Sequence, residues 1–188
     1  FIGPWELGGN WSSAGIVGVW RFLNRVWNLV SGQTDEGAAT PQPVTERALR
    51  RLTHKTIKRV SEDIERFRFN TMIAALMEYV NALYRVRAPE IEQTPAWQEA
   101  MDTLLLLLAP SAPHLTEELW HRRGHTQSVH VQPWPAYDPE LTVEEKVTLV
   151  IQVNGRVRDR MEVPADLPEE EVRRLALERP RVQQFTGG

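Results

Sequence analysis

Arg47, Arg51, His54 and Lys58 recur at intervals of four, three and four residues, the spacing that puts side chains in one stripe down a helix. Arg50, Lys55 and Arg59 flank the stripe, and no acid interrupts residues 47–59. Like charges three or four apart mildly destabilise an isolated helix. Keeping them without compensating glutamates fits an anionic partner, most commonly a phosphate backbone. A solvated face opposite an apolar Leu49/Val60/Ile64 side explains the same pattern. Charge alone does not choose between the two.

Weaker candidates lie elsewhere. Arg21 and Arg25 are four apart near Asn24 and Asn28, where they suit either a phosphate or an ion pair with a carboxylate. Arg66 and Arg68 flank a turn between two helical stretches, within reach of a backbone or solvent. Arg156 and Arg158 follow an Asn-Gly turn and form a second expected contact. The net charge of −3 hides an asymmetry: residues 1–88 sum to +4 and residues 89–188 to −7. An anionic partner responds to the local distribution.

Catalytic constellations are missing. There is no nucleophile elbow, phosphate-binding glycine loop or dinucleotide fingerprint. Glu117-Glu118 has no partner acid, and His114 reads as a capping or packing residue. His121 and His125, with His130 nearby, have metal-ligand types, but Gly124 ends their helix and no Cys or HExxH pattern supports them. The expectation is no catalytic residue and no metal. The tryptophans read as packing residues. Trp134 in Pro-Trp-Pro has a face suited to a base, but closing the bundle against the C-terminal segment is the preferred assignment.

The elements that carry these residues are mostly helical. Ser12 or Ser13 caps a helix to about Val30, with Ile16, Val19, Trp20, Leu23, Val26, Trp27 and Val30 as its buried stripe and Phe22 and Leu29 widening it. Residues 31–43 read as a loop. A second helix spans about Val44 to Phe67. A third starts from Asn70 as N-cap and turns Met72, Ile73, Leu76, Met77, Val80, Leu83 and Tyr84 inward. Thr94-Pro95 opens a helix that is apolar all round at 104–108 and should be central. Pro110 and Pro113 break it, and Ser111 caps a last short helix ending near Gly124.

Residues 126–140 change character, and Val129 and Val131 alternate as in a short strand. Lys146 to Val153 and Val157 to Val163 flank Asn154-Gly155, the strongest hairpin signal in the chain. Asp166, Pro168 and three glutamates then open a helix. The expected organisation is a five-helix bundle (1–125), a connector (126–145) and an incomplete small α/β domain (146–188).

With 41% hydrophobic and 25% charged residues the chain is of the globular class, and no cysteine permits a disulfide or thiolate zinc site. No apolar run approaches a membrane span. Phe1 opens in mid-pattern, which is read as a piece of a longer protein.

These segments, in this order, resemble the post-catalytic region of class I aminoacyl-tRNA synthetases, specifically bacterial leucyl-tRNA synthetases. Pro4 to Gly15 followed by Arg21-Phe-Leu-Asn-Arg-Val-Trp27 is similar to the family's entry into its anticodon-binding bundle. His54-Lys-Thr-Ile57, Asp63 and Phe69-Asn-Thr71 with Ala74, Met77-Glu78 and Asn81 resemble its second and third helices. Leu108-Ala-Pro-Ser-Ala-Pro-His114 with Glu117-Glu118 and Trp120 resembles the junction that follows. Trp134-Pro135 and Val150-Ile-Gln-Val-Asn-Gly-Arg156 with Arg158 favour the leucyl branch over valyl and isoleucyl relatives. The HIGH and KMSKS active-site motifs and an editing domain are absent, as are the strands that normally follow.

The resemblance implies a mainly α fold: the anticodon-binding helical bundle of this enzyme class, then a truncated α/β domain. It implies a non-catalytic, tRNA-binding part of a leucine–tRNA ligase. The parent joins leucine to tRNA(Leu) with ATP and Mg, alongside catalytic and editing domains of the same polypeptide, as a cytoplasmic monomer without membrane contact. The family's bundle holds tRNA by shape and phosphate contacts, in line with a basic stripe and no evident stacking platform. The alternatives are the same region of a valyl or isoleucyl enzyme, or a helical scaffold whose basic face meets an acidic protein.

Overall fold

A computed structural model of the chain describes Gly8 and residues 13–33, 40–143, 146–153, 155–164 and 167–186. In chain order they form α1 (Ser13–Val30), α2 (Glu46–Glu65), α3 (Phe69–Val86), α4 (Pro89–Glu92), α5 (Pro95–Leu108), α6 (Pro113–Arg122), a 3-10 turn (Val129–Val131) and α7 (Pro139–Thr142). Strands β1 (Lys146–Val153) and β2 (Arg156–Pro164) and helices α8 (Glu169–Leu177) and α9 (Pro180–Thr186) follow. The chain folds as two compact units, Phe1–Thr142 and Val143–Gly188. The mainly α class with a small two-stranded element is as expected.

Local chemistry sets the helix starts. The Thr45 hydroxyl accepts the Ala48 amide at 3.2 Å, and Thr94 accepts that of Trp97 at 3.3 Å ahead of Pro95. α3 begins at Phe69 after Arg68, with no side-chain cap, so Asn70 is not its N-cap. Ala112, not Ser111, precedes α6. Gly124 takes φ 91° and terminates that last helix, where its lack of a Cβ removes the left-handed penalty.

α5 is the central helix of the first unit. Leu104, Leu105 and Leu107 have no exposed surface. They meet Leu49, Ile57 and Val60 from α2 and Met72, Leu76, Tyr79, Val80 and Leu83 from α3 in one cluster, joined by Val26, Leu29, Leu119 and Trp120. The Tyr79 hydroxyl is accommodated by Thr53 Oγ1 at 2.8 Å and the Ala100 carbonyl at 3.3 Å. Burial pushes this phenol far above its usual range.

α1 departs from expectation. Its buried residues are Phe22, Val26 and Leu29, while Ile16, Val19 and Trp20 are exposed, Trp20 at 65%. Only the C-terminal half packs against the cluster, so the apolar stripe runs on beyond the surface that covers it.

The expected connector is also different. Through Thr142 it belongs to the first unit, because polar anchors fix it there. Trp120 Nε1 donates to the Gln127 carbonyl at 2.9 Å. Glu117 accepts from Ser128 Oγ and the Val129 amide, both at 2.9 Å. Trp134 Nε1 donates to Ser61 Oγ at 2.8 Å. Val129–Val131 is therefore a 3-10 turn rather than a strand, with Val129 buried. Trp134 packs on α2, inside this unit.

In the second unit β1 and β2 pair antiparallel, with an irregularity between Ile151 and Gln152. Gly155 has φ 74°, which a tight hairpin turn requires; Asn154 lies outside the described residues. Leu149, Ile151 and Val153 are half-buried, whereas Thr148, Val150 and Gln152 are exposed, the period-two pattern of a one-sided sheet. Among the described residues of this unit Met161, Val163 and Val182 are the buried apolar ones. The last comes from α9, which the sequence reading did not anticipate.

Candidate nucleic-acid interface

α2 carries the basic stripe on its outer side, but α3, α5 and the segment before α7 border that side with acids. Arg50 Nε reaches Glu99 Oε2 at 3.1 Å. His54 Nε2 lies 3.0 Å from Glu99 Oε1, and the Asp138 amide donates to His54 Nδ1 at 2.9 Å. Since Nδ1 accepts, the proton sits on Nε2 and is donated to Glu99. With its side chain 13% exposed, His54 is a clamp between α2, α5 and the segment leading to α7. It does not belong to an outward phosphate-facing row.

The other members are distributed differently. Arg59 forms an ion pair with Glu78 of α3. The Lys58 ammonium lies 5.8 Å from the centre of the Tyr137 ring, near the limit of a cation–π contact. Arg47 is exposed beside a hollow of about 550 Å³ lined also by Glu46, Arg50, Asp138, Glu140 and Leu141. Arg51 and Lys55 are half-buried and, like Arg47, engage neighbouring groups. Several cations of the stripe are thus already engaged by the fold.

The weaker candidates separate cleanly. Arg25 is a packing residue: Nη1 donates to Asn81 Oδ1, its guanidinium covers Tyr84 at 4.6 Å, and the Tyr84 hydroxyl donates to its carbonyl at 2.9 Å. Arg21, Arg66 and Arg68 are exposed and form no ion pair among the described residues. Arg156 is exposed at the hairpin. Arg158 instead lies over Phe185 at 3.7 Å, so one of the two hairpin arginines holds α9 against the strands.

His121 of α6, and His125 and His130 beyond it, are each held by a neighbouring carboxylate. His121 Nε2 meets Glu117 at 3.1 Å, His125 meets Asp102 at 3.1 Å and stacks on Trp120 at 3.7 Å, and His130 lies 3.9 Å from Glu117. Among the described residues no group of three His, Cys, Asp or Glu is placed to hold a metal, and no helix is long and apolar enough to cross a membrane. Burial works to raise the Glu117 carboxyl. The Ser128 hydroxyl, the Val129 amide and His121 outweigh it and hold the group below its usual value.

One feature escaped the sequence reading. Phe67 and Phe69 are 58% and 44% exposed and meet edge to face at 5.9 Å. The run Arg66-Phe-Arg-Phe69 was the available signal, since aromatics interleaved with cations are characteristic of nucleic-acid surfaces.

The profile of the anticodon-binding domain of tRNA ligases matches residues 46–173. The chain belongs to that family. This anticodon-binding domain is 45% identical to a leucine–tRNA ligase of Dehalococcoides mccartyi, over 97% of its own length and 22% of the relative's. It is 49% identical to the leucine–tRNA ligase of Rubrobacter xylanophilus over all of its length and 22% of the relative's. Among solved structures it is similar to the LeuRS in a ternary LeuRS–tRNA–LeuAMS complex from Agrobacterium radiobacter. There the TM-score is 0.77 at 29% identity, covering 95% of this chain and 24% of that one. The domain therefore spans about a quarter of the length of these relatives. The resemblance to bacterial leucyl-tRNA synthetases holds along the whole chain.

Proposed function

We propose that this region holds tRNA(Leu) for a leucine–tRNA ligase whose bond-making groups lie elsewhere in the polypeptide. The observation that carries the reading is the similarity along 95% of the chain to a LeuRS solved with tRNA. The geometry supports it with exposed cations that form no ion pair among the described residues: Arg66 and Arg68 at the C-terminal end of α2, and Arg21 on α1. On this reading Arg47, Arg51, Lys55, Lys58 and Arg59 of α2, with Arg21, Arg68 and Arg156, contact phosphates; His54, Arg25 and Arg158 position other groups.

The parent uses ATP with Mg in its catalytic domain to join leucine to tRNA(Leu), and works as a cytoplasmic monomer. The exposed Ile16, Val17, Val19 and Trp20 of α1 suit coverage by the catalytic part of the same polypeptide, because residues 13–20 carry no charge.

The test is Arg51→Glu with Arg68→Glu in the full-length synthetase. The KM for tRNA(Leu) rises about tenfold or more while leucine-dependent ATP–pyrophosphate exchange stays intact. The wild-type affinity for tRNA falls steeply with salt, each lost phosphate contact reducing the log–log slope by about 1. An unchanged KM removes the surface assignment. Binding insensitive to salt removes the phosphate reading and favours a protein-interaction scaffold.

A further inference from the structure

Where α2 ends and α3 begins, the fold leaves a cleft of about 450 Å³ against the α5–α6 junction. Ile64, Met72 and Pro110 are among its apolar lining. Phe69 and Trp134 also line it, 44% and 42% exposed. Its polar groups are few: Ser61, Ser111 and the Glu65 carboxylate. The indole is not free to swing, because Trp134 Nε1 is spent on Ser61 Oγ. Glu65 is exposed and forms no ion pair among the described residues.

Three observations narrow what fits there. Apolar clefts of roughly 300–1,000 Å³ with a few placed polar groups are ligand sites. Aromatic side chains in a cleft, here Phe69 at the start of α3 and Trp134 tied to α2 through Ser61, are the feature that captures unstacked bases, which RNA offers in its loops and bulges. The turn between the lining residues Glu65 and Phe69 carries Arg66 and Arg68, neither in an ion pair among the described residues, on either side of Phe67 in the chain. That residue holds φ 53°, a left-handed conformation that costs a bulky residue of order 1–3 kcal/mol and concentrates at functional sites. Positive charge beside aromatic walls separates a nucleic-acid contact from a polypeptide contact.

We propose that this cleft takes one unpaired nucleobase of the bound tRNA. Phe69 and Trp134 supply its stacking faces, Glu65 accepts from amino or imino donors on its edge, and Arg66 and Arg68 hold the flanking phosphates. The inference rests on the tRNA-holding reading above and adds a base-recognising element to it.

The experiment uses the full-length synthetase and a tRNA(Leu) transcript. Chemical probing of the bases finds one unpaired base protected in the wild-type complex. Phe69→Leu and Trp134→Leu each restore its reactivity and raise the Kd about 5- to 100-fold, with the salt slope unchanged. Trp134→Phe keeps a ring and keeps the protection. Arg66→Gln with Arg68→Gln lowers the salt slope by about 2. Ultraviolet crosslinking of the wild-type complex, read by mass spectrometry, needs no variant and guards against misfolding; it yields a nucleotide adduct on Phe69 or Trp134. Adducts confined to other residues, or leucine variants with unchanged tRNA affinity, overturn the proposal and make the cleft a seat for another part of the polypeptide. Failure of the wild-type protein to bind tRNA with salt-dependent affinity overturns the wider reading as well, and is seen before any variant is made.

Discussion

One carboxylate takes two of the hydrogen bonds that hold residues 127–131. Glu117 accepts from Ser128 and Val129 and faces His121 and His130. Its folded-state value lies below the usual 4.5, so the carboxylate favours the folded state above that pH. The contribution is lost as pH falls through the lowered value. Protection of the Val129 amide from hydrogen exchange, corrected for the intrinsic rate, is expected to be constant above pH 5 and to fall below pH 4.5. Glu117→Gln removes that step. A pH-independent Val129 would mean the carboxylate does not anchor the turn. At the same scale His54 shows why residue type misleads. Histidine in a basic row reads as one more cation, yet both ring nitrogens are committed, one to Glu99 and one to the Asp138 amide.

Among the elements, α5 carries the core and α1 does not. The run Leu104–Leu108 was legible because a helix apolar on every side must be surrounded. Leu104→Ala is expected to cost about 2–5 kcal/mol, since neighbours from α2 and α3 cannot close the void; urea denaturation of the 188-residue chain measures it. A cost below about 1 kcal/mol would mean that α5 is not the packing centre. α1 was misread because its periodicity reports which side is apolar, not how far a neighbour extends. The segment 126–142 was misread for the complementary reason. Its composition is that of a linker, but Trp134, Gln127 and Asp138 each find a hydrogen-bond partner on α2 or α6, and no local pattern encodes partners so far along the chain.

For the whole molecule the two units differ in how much they bury. The first closes around α5. Among its described residues the second buries only Met161 and Val163 of a two-stranded sheet and Val182 of α9 as apolar groups, an arrangement of low independent stability. Amides of β1 and β2 are therefore expected to exchange markedly faster than those of α5, which open only in global unfolding. Equal protection in both units would show a single cooperative unit. The charge asymmetry belongs to this scale too. Residues 1–88, which hold α1 to α3, carry an excess of +4 although the chain as a whole is acidic, and on the proposed reading a phosphate backbone meets that local excess rather than the total.

The sequence by itself determined the helical class, the central helix and the hairpin, and it supplied the basic residues on which the proposed phosphate contacts rest. Each follows from spacing along the chain, and spacing is local. Tertiary structure alone decided which cations remain open, because Glu78, Glu99 and Asp138 meet α2 only after folding. It alone brought Phe69 and Trp134, 65 residues apart in the sequence, to one cleft. A helix fixes the direction of its side chains, but what those side chains meet is set by the packing of elements distant in sequence.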